Sequence, residues 1–520
     1  MKNIKWLICI VLIAALLRNW KLGEIPISLH GDEVGVGYNA FTLLSSGLDE
    51  YGRRLPVSFR ADVTPLIFYS TIPAIAMFGP TDFAVRFPSM LIGIITVTVF
   101  YFLIFEISSI SYIKQLLSLG NPGKIALTAT LLLSIAPWHI QISRIAHDAG
   151  YGILLQMISV LIFLRSMRHH KPYLYYLSII SFVLSMYAYH GPRLTSPLLL
   201  ALLIYFFRKQ LPLNFQLKTF AIFILCSTPL VLDFFNKPLS ETRIGGINII
   251  NRASGENFDL LKIPTKVLFN LIRQFDIQLL FINSQAVRYF NVFRVGLMYF
   301  TQLPTLFVTL LLVKKGRFIA PLLLIILISV LPGALTSGPP NAGRILMLFP
   351  ILEILTVIGI TKLIQLFKTN TKVIVIAFLA FIYSLQFGFF LEQYFNDSPK
   401  RFTIQWQSGM KDLAFHVLKE EANYSKIIIS DEFKQAYIYI LFYGRKPIEL
   451  LLQQPHLTRH SFIGYKDFGK YEFRKINWLE DQQLTKTLIV GTKNDLPAKE
   501  VNSQIYNPIG QIVASVISLN

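Results

Sequence analysis

The chain has 520 residues, of which 53% are hydrophobic and 15% charged, and its mean hydropathy is +0.52. Soluble domains contain nearer a quarter charged residues, so this composition excludes an ordinary soluble protein. The formal net charge of +20 would suggest nucleic acid in a soluble protein. Most of the excess precedes Asp397, however, where basic loops orient membrane spans and meet anionic lipid head groups, so no nucleic-acid partner is required. Cys9 and Cys226 are too few for a disulfide framework or a metal site.

The first twenty residues predict an uncleaved membrane span. Lys2 and Lys5 precede an apolar run, and no small-residue cleavage site follows it. Ten more spans are predicted near 83–105, 124–137, 149–163, 172–189, 194–207, 217–235, 295–313, 318–335, 345–366 and 373–391. Every short loop thereby assigned to the inside is basic, as the positive-inside rule requires. The sequence therefore predicts a polytopic α-helical protein of the plasma membrane with about eleven spans, its N-terminus inside and its C-terminus outside.

Two parts of the chain are predicted to lie outside the membrane. The outer loop 21–82 contains two short amphipathic segments, 34–46 and 64–78, which predict helices in the interface plane. A second long outer loop is predicted at 236–294. Residues 396–520 predict a small extracytoplasmic α/β domain, distinct from a transmembrane domain over 1–395. Its strands are predicted at 426–430 and 484–491, and its helices at 407–421 and 432–443.

The outer loops bring together a non-random set of polar residues, beginning with H-G-D-E-V-G-V-G-Y at 30–38. Ionisable groups at membrane depth are costly and usually mark a substrate path. The candidate site residues are His30, Asp32, Glu33, Tyr38, Arg60, Asp62, Arg86, Arg144, Asp148, His190, Arg193, Glu241, Arg243 and Arg344. Four of these arginines lie on the outer face, where the positive-inside rule gives no reason for them: Arg144, Arg193, Arg243 and Arg344.

Arginine has a planar fork that matches phosphate oxygens, so this set predicts a phosphate-bearing partner. Beside it stand the carboxylates Asp32, Glu33 and Asp148. Glycosyl transfer from a lipid phosphate needs both groups. A carboxylate takes the proton of the attacking hydroxyl, and cations stabilise the charge on the departing phosphate.

Simpler interpretations stand beside this one. Asp32 and Asp148 each precede or begin a helix and could serve only as N-caps. Arg144 could snorkel to lipid head groups, and the outer histidines are more typical of interfacial hydrogen bonding than of metal ligands. A flippase for a lipid-linked saccharide would also need arginines and carboxylates, although transporters place them near the midplane. An oligosaccharide polymerase or ligase is a third class of protein that fits these residues. The length of the donor saccharide would distinguish it from a monosaccharide transferase.

Four segments in order resemble a known family. They are Asp32–Glu33 with Y-N-A-F-T-L-L-S-S-G-L-D-E-Y-G-R, then T-P-L-I-F-Y, F-G-P-T-D-F-A-V-R-F-P-S and P-W-H-I-Q-I-S-R-I-A-H-D. Together they resemble the GT-C-type membrane glycosyltransferases of the protein O-mannosyltransferase and aminoarabinose-transferase group, in their bacterial forms. The likeness covers roughly 1–390 and is strongest over 29–151.

The resemblance implies a polyprenyl-phosphate-linked monosaccharide as donor and inverting transfer on the extracytoplasmic face. The acceptor would be a glycolipid, a cell-envelope glycan or a protein. Carried over by position, Asp32 is the base, Glu33 supports it and Asp148 is the second acidic residue. Aminoarabinose-type relatives have a lysine before the proline of the second surface helix, whereas Thr64 precedes Pro65 here. Either Arg60 or Arg86 would replace that phosphate contact, or the donor geometry would differ. No cofactor is required, metal dependence stays open, and the C-terminal domain could recognise the acceptor or serve as a structural cap.

Overall fold

The computed structural model describes residues 2–59, 62–110, 120–236, 260–284, 290, 292–312, 319–338, 340–453 and 467–519. The α-helices described between residues 2 and 392 are α1 (Lys2–Asn19), α2 (Gly31–Ser46), α3 (Leu66–Phe78), α4 (Asp82–Ser109), α5 (Pro122–Ile135), α6 (Pro137–Ile142), α7 (Ala149–His169), α8 (Pro172–Ala188), α9 (His190–Phe207), α10 (Leu213–Phe235), α11 (Ile263–Arg273), α12 (Gln302–Leu312), α13 (Ile319–Ala334), α14 (Leu348–Gln365) and α15 (Thr369–Glu392).

The remaining elements mix short helices with strands. They are α16 (Ser398–Arg401), α17 (Met410–Glu420), β1 (Lys426–Ser430), α18 (Ala436–Tyr443), α19 (Glu449–Leu452), β2 (Asp467–Phe468), β3 (Tyr471–Arg474), α20 (Trp478–Asp481), β4 (Thr487–Gly491), β5 (Ser503–Tyr506) and β6 (Ile512–Leu519). Single-turn 3-10 or π-helical segments occur at Leu260–Lys262, Gln278–Ile282, Ala342–Ile345, Gln393–Asp397 and Glu421–Asn423.

The chain forms two compact units. The first, which we call the bundle unit, contains Met1–Trp20 and Ser89–Ser398. The second, which we call the sheet unit, contains Lys21–Pro88 and Pro399–Asn520. The predicted first outer loop and the C-terminal region are thus parts of one unit, although some three hundred residues separate them in sequence.

Apolar helices dominate the described residues. Five of them are long and apolar enough to cross a membrane: α4, α7, α10, α14 and the continuous helix that begins with α15. Shorter apolar helices are α3, α5, α8, α12 and α13. A helix occupies each position where the sequence predicts a span, but α12 begins at Gln302 rather than at 295. The preceding residues 292–301 form turns and bends, and the amides of Leu297 and Met298 donate to the carbonyls of Leu279 and Leu280.

Large apolar side chains hold α7, α8 and α9 together in the bundle unit. Phe163, Ile179 and Phe182 are fully excluded from solvent, and Leu199 and Leu200 of α9 pack against them. Buried hydroxyls and an amide join the same helices: Gln156 Nε2 donates to Thr195 Oγ1 at 2.6 Å and to Ser196 Oγ at 2.9 Å. Hydrogen bonds between helices satisfy polar groups that lipid would leave without partners.

The sheet unit contains a six-stranded mixed sheet in the order β2-β3-β1-β4-β6-β5. β1 pairs in parallel with β3 and β4, and the other neighbours are antiparallel. The central strands are continuous apolar runs, as expected of strands covered on both faces. Ile427, Ile428 and Ile429 are fully buried. The predicted strand 426–430 matches β1, and the predicted strand 484–491 contains β4.

Helix α18 is apolar on every side, and α2 and α17 pack against it. Its residues from Ala436 to Phe442 are all buried, which such contacts explain. Gly37 of α2 lies at the closest approach, where an added Cβ would come within 2.7 Å of the Phe442 and Val85 side chains. A glycine therefore lets α2 and α18 pack at this distance.

Candidate active site

The start of α2 carries the acidic pair. The helix begins at Gly31, three residues before the predicted start, and His30 rather than Asp32 is its N-cap residue. His30 Nδ1 accepts the Asp32 amide at 3.2 Å, and Glu33 Oε2 accepts the His30 amide at 3.0 Å. This reciprocal arrangement is a capping box with histidine in the place of serine or threonine. Since the ring nitrogen accepts a hydrogen bond, it carries no proton, and its 3.8 Å approach to Asp32 Oδ2 is not a salt bridge.

Glu33 forms a salt bridge with Arg86, near the start of α4. Arg86 Nε lies 3.1 Å from Glu33 Oε1 and Nη2 lies 3.2 Å from Oε2. Arg86 also donates to the carbonyls of Leu22, Pro26 and Ser28, at 3.3, 2.8 and 2.6 Å. Both side chains of the ion pair are almost wholly buried. A bidentate pair of this kind fixes geometry, so Glu33 and Arg86 hold the turn that precedes α2.

Asp32 differs from its neighbours in exposure. Its side chain is 37% exposed, against 9% for His30 and 3% for Glu33. Helix capping here uses the His30 and Glu33 side chains, so capping alone does not explain Asp32. The carboxylate stands in the first helical turn, where the helix dipole stabilises negative charge.

A second polar cluster in the sheet unit surrounds Asp82, at the first residue of α4. Lys411 Nζ lies 3.0 Å from its Oδ2, and Tyr443 Oη donates to its Oδ1 at 2.7 Å. Burial and the charge of Asp82 hold the pKa of Tyr443 well above its usual range, so this phenol remains a donor. Tyr38 is fully buried and donates to the Lys446 carbonyl at 3.2 Å. Asp62, also buried, has a φ of 61° beside the Phe59–Val63 bridge.

The bundle unit holds the other predicted residues. Arg144 is fully buried, and its Nη1 donates to the carbonyls of Leu17 and Arg18 at 2.9 and 3.0 Å. Its guanidinium also stacks 4.9 Å from the Phe395 ring and 5.6 Å from the Tyr394 ring. Arg144 thus does not snorkel, and its contacts fasten the end of α1 to the segment after α15.

Asp148 occupies the N-cap position of α7 but makes no capping hydrogen bond. Instead, its Oδ1 lies 3.1 Å from His147 Nδ1, which is also 3.1 Å from the Ala149 amide. One nitrogen cannot donate to the carboxylate and accept from the amide at once, so the tautomer of His147 selects between these contacts. The His147 ring lies 6.0 Å from that of Tyr189.

A small cavity opens beside the same end of α7. Gln156, Tyr189, Thr195, Ser329 and Arg344 are among its polar lining residues. Arg344 is half-buried and donates to Thr336 Oγ1 at 2.8 Å. Arg193, also half-buried, reaches the Met186 carbonyl at 3.4 Å, and His190 is the first residue of α9. Arg344, which the sequence predicts as a phosphate ligand, therefore lines a cavity.

Arg60, Glu241 and Arg243 lie outside the described residues, as does most of the predicted loop 236–294. Among the residues that the structure does describe, no group of three His, Cys, Asp or Glu side chains could hold a metal ion.

Sequence reasoning missed two sets of residues. Arg18, fully buried at the end of α1, contacts His139 Nδ1 at 2.6 Å and Ser143 Oγ at 3.3 Å. The argument applied to the other outer arginines would have found it. Gln407 and Tyr439, which contact the residues just before Asp32, gave no signal because they are remote in sequence.

Comparison of the sequence with protein-family models and with curated proteins gives no match. Its structure is nevertheless similar to that of solved proteins. ArnT from Cupriavidus metallidurans in the apo state matches with a TM-score of 0.58 at 10% identity, over 99% of this chain and 98% of ArnT. The same protein bound to undecaprenyl phosphate matches with a TM-score of 0.57 at 12% identity, over 98% of each chain. Archaeal oligosaccharyltransferase AglB from Archaeoglobus fulgidus, in complex with an inhibitory peptide and a dolichol-phosphate, matches with a TM-score of 0.51 at 12% identity. That match covers 99% of this chain and 74% of AglB.

The chain has an ArnT-like fold. ArnT and AglB are GT-C membrane glycosyltransferases, so the similarity predicted from four short motifs extends in three dimensions over nearly the full length. The apolar helices and this fold together make the chain a multi-pass membrane protein. The C-terminal mixed sheet belongs to the same fold.

Proposed function

We propose that the protein is an integral-membrane glycosyltransferase that moves a monosaccharide from a polyprenyl-phosphate donor to an extracytoplasmic acceptor. The observation that carries the proposal is the first turn of α2. There, Glu33, His30 and Arg86 fix the backbone, while Asp32 keeps a partly exposed carboxylate. The ArnT-like fold supports the same activity, and the polyprenyl-phosphate ligands named for the ArnT and AglB structures suggest the donor class.

In the proposed reaction Asp32 acts as general base. The acceptor hydroxyl attacks the anomeric carbon of the donor sugar and gives its proton to the carboxylate. The bond between that carbon and the phosphate oxygen breaks, and the polyprenyl phosphate leaves with the bonding electrons. Attack and departure on opposite faces of the sugar invert the anomeric configuration. Glu33 and Arg86 act through the position that they give to Asp32.

The leaving phosphate needs positive charge, for which the arginines predicted from the sequence are the candidates. Arg344 is the strongest candidate because it is half-buried and lines a cavity. Arg193 and Arg243 are further candidates, and Asp148 with His147 is proposed as the second acidic element of the site. Arg60 stays a proposed phosphate ligand of the first outer loop, and His190, Tyr38, Asp62 and Glu241 stay proposed site residues.

We propose about eleven spans, with the N-terminus inside and catalysis on the outer face of the plasma membrane. The basic loops predicted on the inner side support this orientation. The acceptor in this proposal is a glycolipid, a cell-envelope glycan or a protein.

The test is transfer by the purified protein in liposomes that contain polyprenyl-phosphate-linked hexoses or pentoses. Wild type should release free polyprenyl phosphate and produce a glycosylated acceptor of inverted configuration. Asp32→Asn should lower kcat by about 10²–10⁴-fold and remain folded, since this is the typical contribution of a general base. Glu24→Gln, an exposed carboxylate of the same loop, is the matched control. Movement of the intact lipid-linked sugar across the bilayer without transfer would support a flippase instead, and retained activity in Asp32→Asn would remove this residue as the base.

A further inference from the structure

Two side chains from the C-terminal part of the sheet unit hold the residues just before Asp32. Gln407 Oε1 accepts the Gly31 amide at 2.7 Å. Tyr439 Oη lies 2.8 Å from the Leu29 carbonyl and 3.1 Å from Gln407 Oε1, so its single hydrogen is shared between these two acceptors. These contacts join positions 376 and 410 residues apart in sequence.

Gln407 completes a set of hydrogen bonds to the first turn of α2. The early amides of a helix have no partner within the helix. Here Glu33 accepts the His30 amide, Gln407 accepts the Gly31 amide and His30 accepts the Asp32 amide. Of these three bonds, the one from Gln407 comes from outside the chain segment 21–88, so it fixes this turn against a separate element.

The backbone at this contact is kept in an unfavourable conformation. Gln407 has a φ of 49° and Gln435 a φ of 66°, in the left-handed region that glycine or asparagine occupies more easily. Both glutamine side chains lie at Gly31, where an added Cβ would stand 1.9 Å from Gln435 Oε1 and 3.2 Å from Gln407 Oε1. Strained backbone clusters at functional sites in proteins, which motivates the hypothesis that this segment has a functional role.

A docking role alone would not require this contact, because other bonds already hold the same parts of the sheet unit together. Lys411 and Tyr443 bind Asp82, and Tyr38 binds the Lys446 carbonyl. The Gln407 contact differs from these because its hydrogen bond is to Gly31, the residue next to Asp32.

We propose that Gln407, supported by Tyr439, is a positioning residue that sets where the Asp32 carboxylate stands. The C-terminal region then contributes directly to the geometry of the reaction, beyond serving as a cap. The catalytic part of this inference rests on the proposed function, whereas the hydrogen bond that holds Gly31 does not.

The experiment compares Gln407→Leu with Lys411→Met, a matched variant that removes a docking contact but leaves Gly31 held. Gln407→Leu should lower kcat by about 10- to 100-fold with the donor KM changed by less than about 2-fold, because small displacements of a reacting group cost rate rather than binding. Lys411→Met should keep kcat within about 2-fold. Gln407→Glu retains an acceptor oxygen at a helix start that favours negative charge, so it should restore most of the lost rate.

Hydrogen exchange provides a readout that does not depend on activity. Gln407→Leu should accelerate exchange of the Gly31 amide by about 2- to 10-fold, as expected for one lost, partly buried hydrogen bond, while Lys411→Met should not. Unchanged exchange of the Gly31 amide would show that Gln407 does not hold Gly31, and would overturn the inference. Faster exchange with wild-type kcat, or equal kcat losses in Gln407→Leu and Lys411→Met, would overturn the positioning role. Absence of transfer by wild type would instead overturn the proposed function and, with it, the catalytic part of the inference.

Discussion

Replacement of Arg86 by methionine should damage the proposed active site severely without removing a group that contacts substrate. The guanidinium is fully buried and pairs with both oxygens of Glu33. Methionine has a similar length but no donor, so Arg86→Met leaves a buried carboxylate without its counter-ion. The carbonyls of Leu22, Pro26 and Ser28 lose a donor at the same time.

The expected cost follows from the burial of the pair. Removing one partner of a buried ion pair destabilises by about 3–5 kcal/mol, mostly because the other charge stays buried and unpaired. At about 2–4 °C per kcal/mol for a unit of this size class, the melting temperature of the sheet unit should fall by ~6–20 °C. The double variant Glu33→Leu with Arg86→Met removes both charges and should recover at least about 1 kcal/mol relative to the sum of the single variants.

Thermal unfolding of the detergent-solubilised protein, followed by tryptophan fluorescence, measures this effect. Trp406 is a useful reporter because its ring lies 6.0 Å from the Arg86 guanidinium. Arg54→Met, at an exposed arginine of the same loop, is the control and should change the melting temperature by less than about 2 °C. If Arg86→Met and this control have the same melting temperature, the ion pair does not hold the start of α2. The assignment of Asp32 then loses its support.

Three further predictions test other parts of the structure. Gly37→Ala should lower the free energy of unfolding by about 1–3 kcal/mol, because the new methyl group overpacks the contact between α2 and α18, and chemical denaturation would measure the loss. Arg344→Met should raise the donor KM at least about 10-fold, whereas Arg144→Met, whose contacts are internal, should lower thermal stability and leave the donor KM of the folded fraction unchanged. Although burial opposes it, the Lys446 and Tyr471 hydrogen bonds hold the pKa of Glu421 below its ordinary value of 4.5. This group therefore contributes stability at neutral pH that is lost as the pH falls through its folded pKa; Lys446→Met should weaken that acid dependence in melting curves between pH 7 and pH 3.

The apolar pattern was sufficient to predict the long apolar helices, but not α11, which lies within the segment 236–294 that was predicted as a loop. Long hydrophobic runs and basic inner loops place α4, α7, α10, α14 and α15 within a few residues of their observed bounds. The continuous apolar strands β1 and β4 were predicted for the same reason, since each is buried on both faces. Four strands were not predicted: β2, β3, β5 and β6. β2, β3 and β5 are too brief for periodicity to be visible, whereas β6 has eight residues and was simply missed.

The partners of the site residues could not be predicted, because they come from distant parts of the chain. From the sequence alone, the burial of Asp32 and that of Glu33 cannot be told apart. Only the ion pair with Arg86, 53 residues away, separates a buried Glu33 from a partly exposed Asp32. Similarly, Arg144 has the outer position expected of a phosphate ligand, but α1 supplies carbonyls that bind it inside the bundle unit.

The most direct test of the central claim is the rate of sugar release from a polyprenyl-phosphate donor by wild type, Asp32→Asn and Glu24→Gln at equal amounts of folded protein. We predict transfer by wild type and by Glu24→Gln, and a loss of about 10²-fold or more in Asp32→Asn, without a change in melting temperature beyond a few degrees. Equal rates in all three proteins would contradict the assignment of Asp32 as the base on which the proposed mechanism depends.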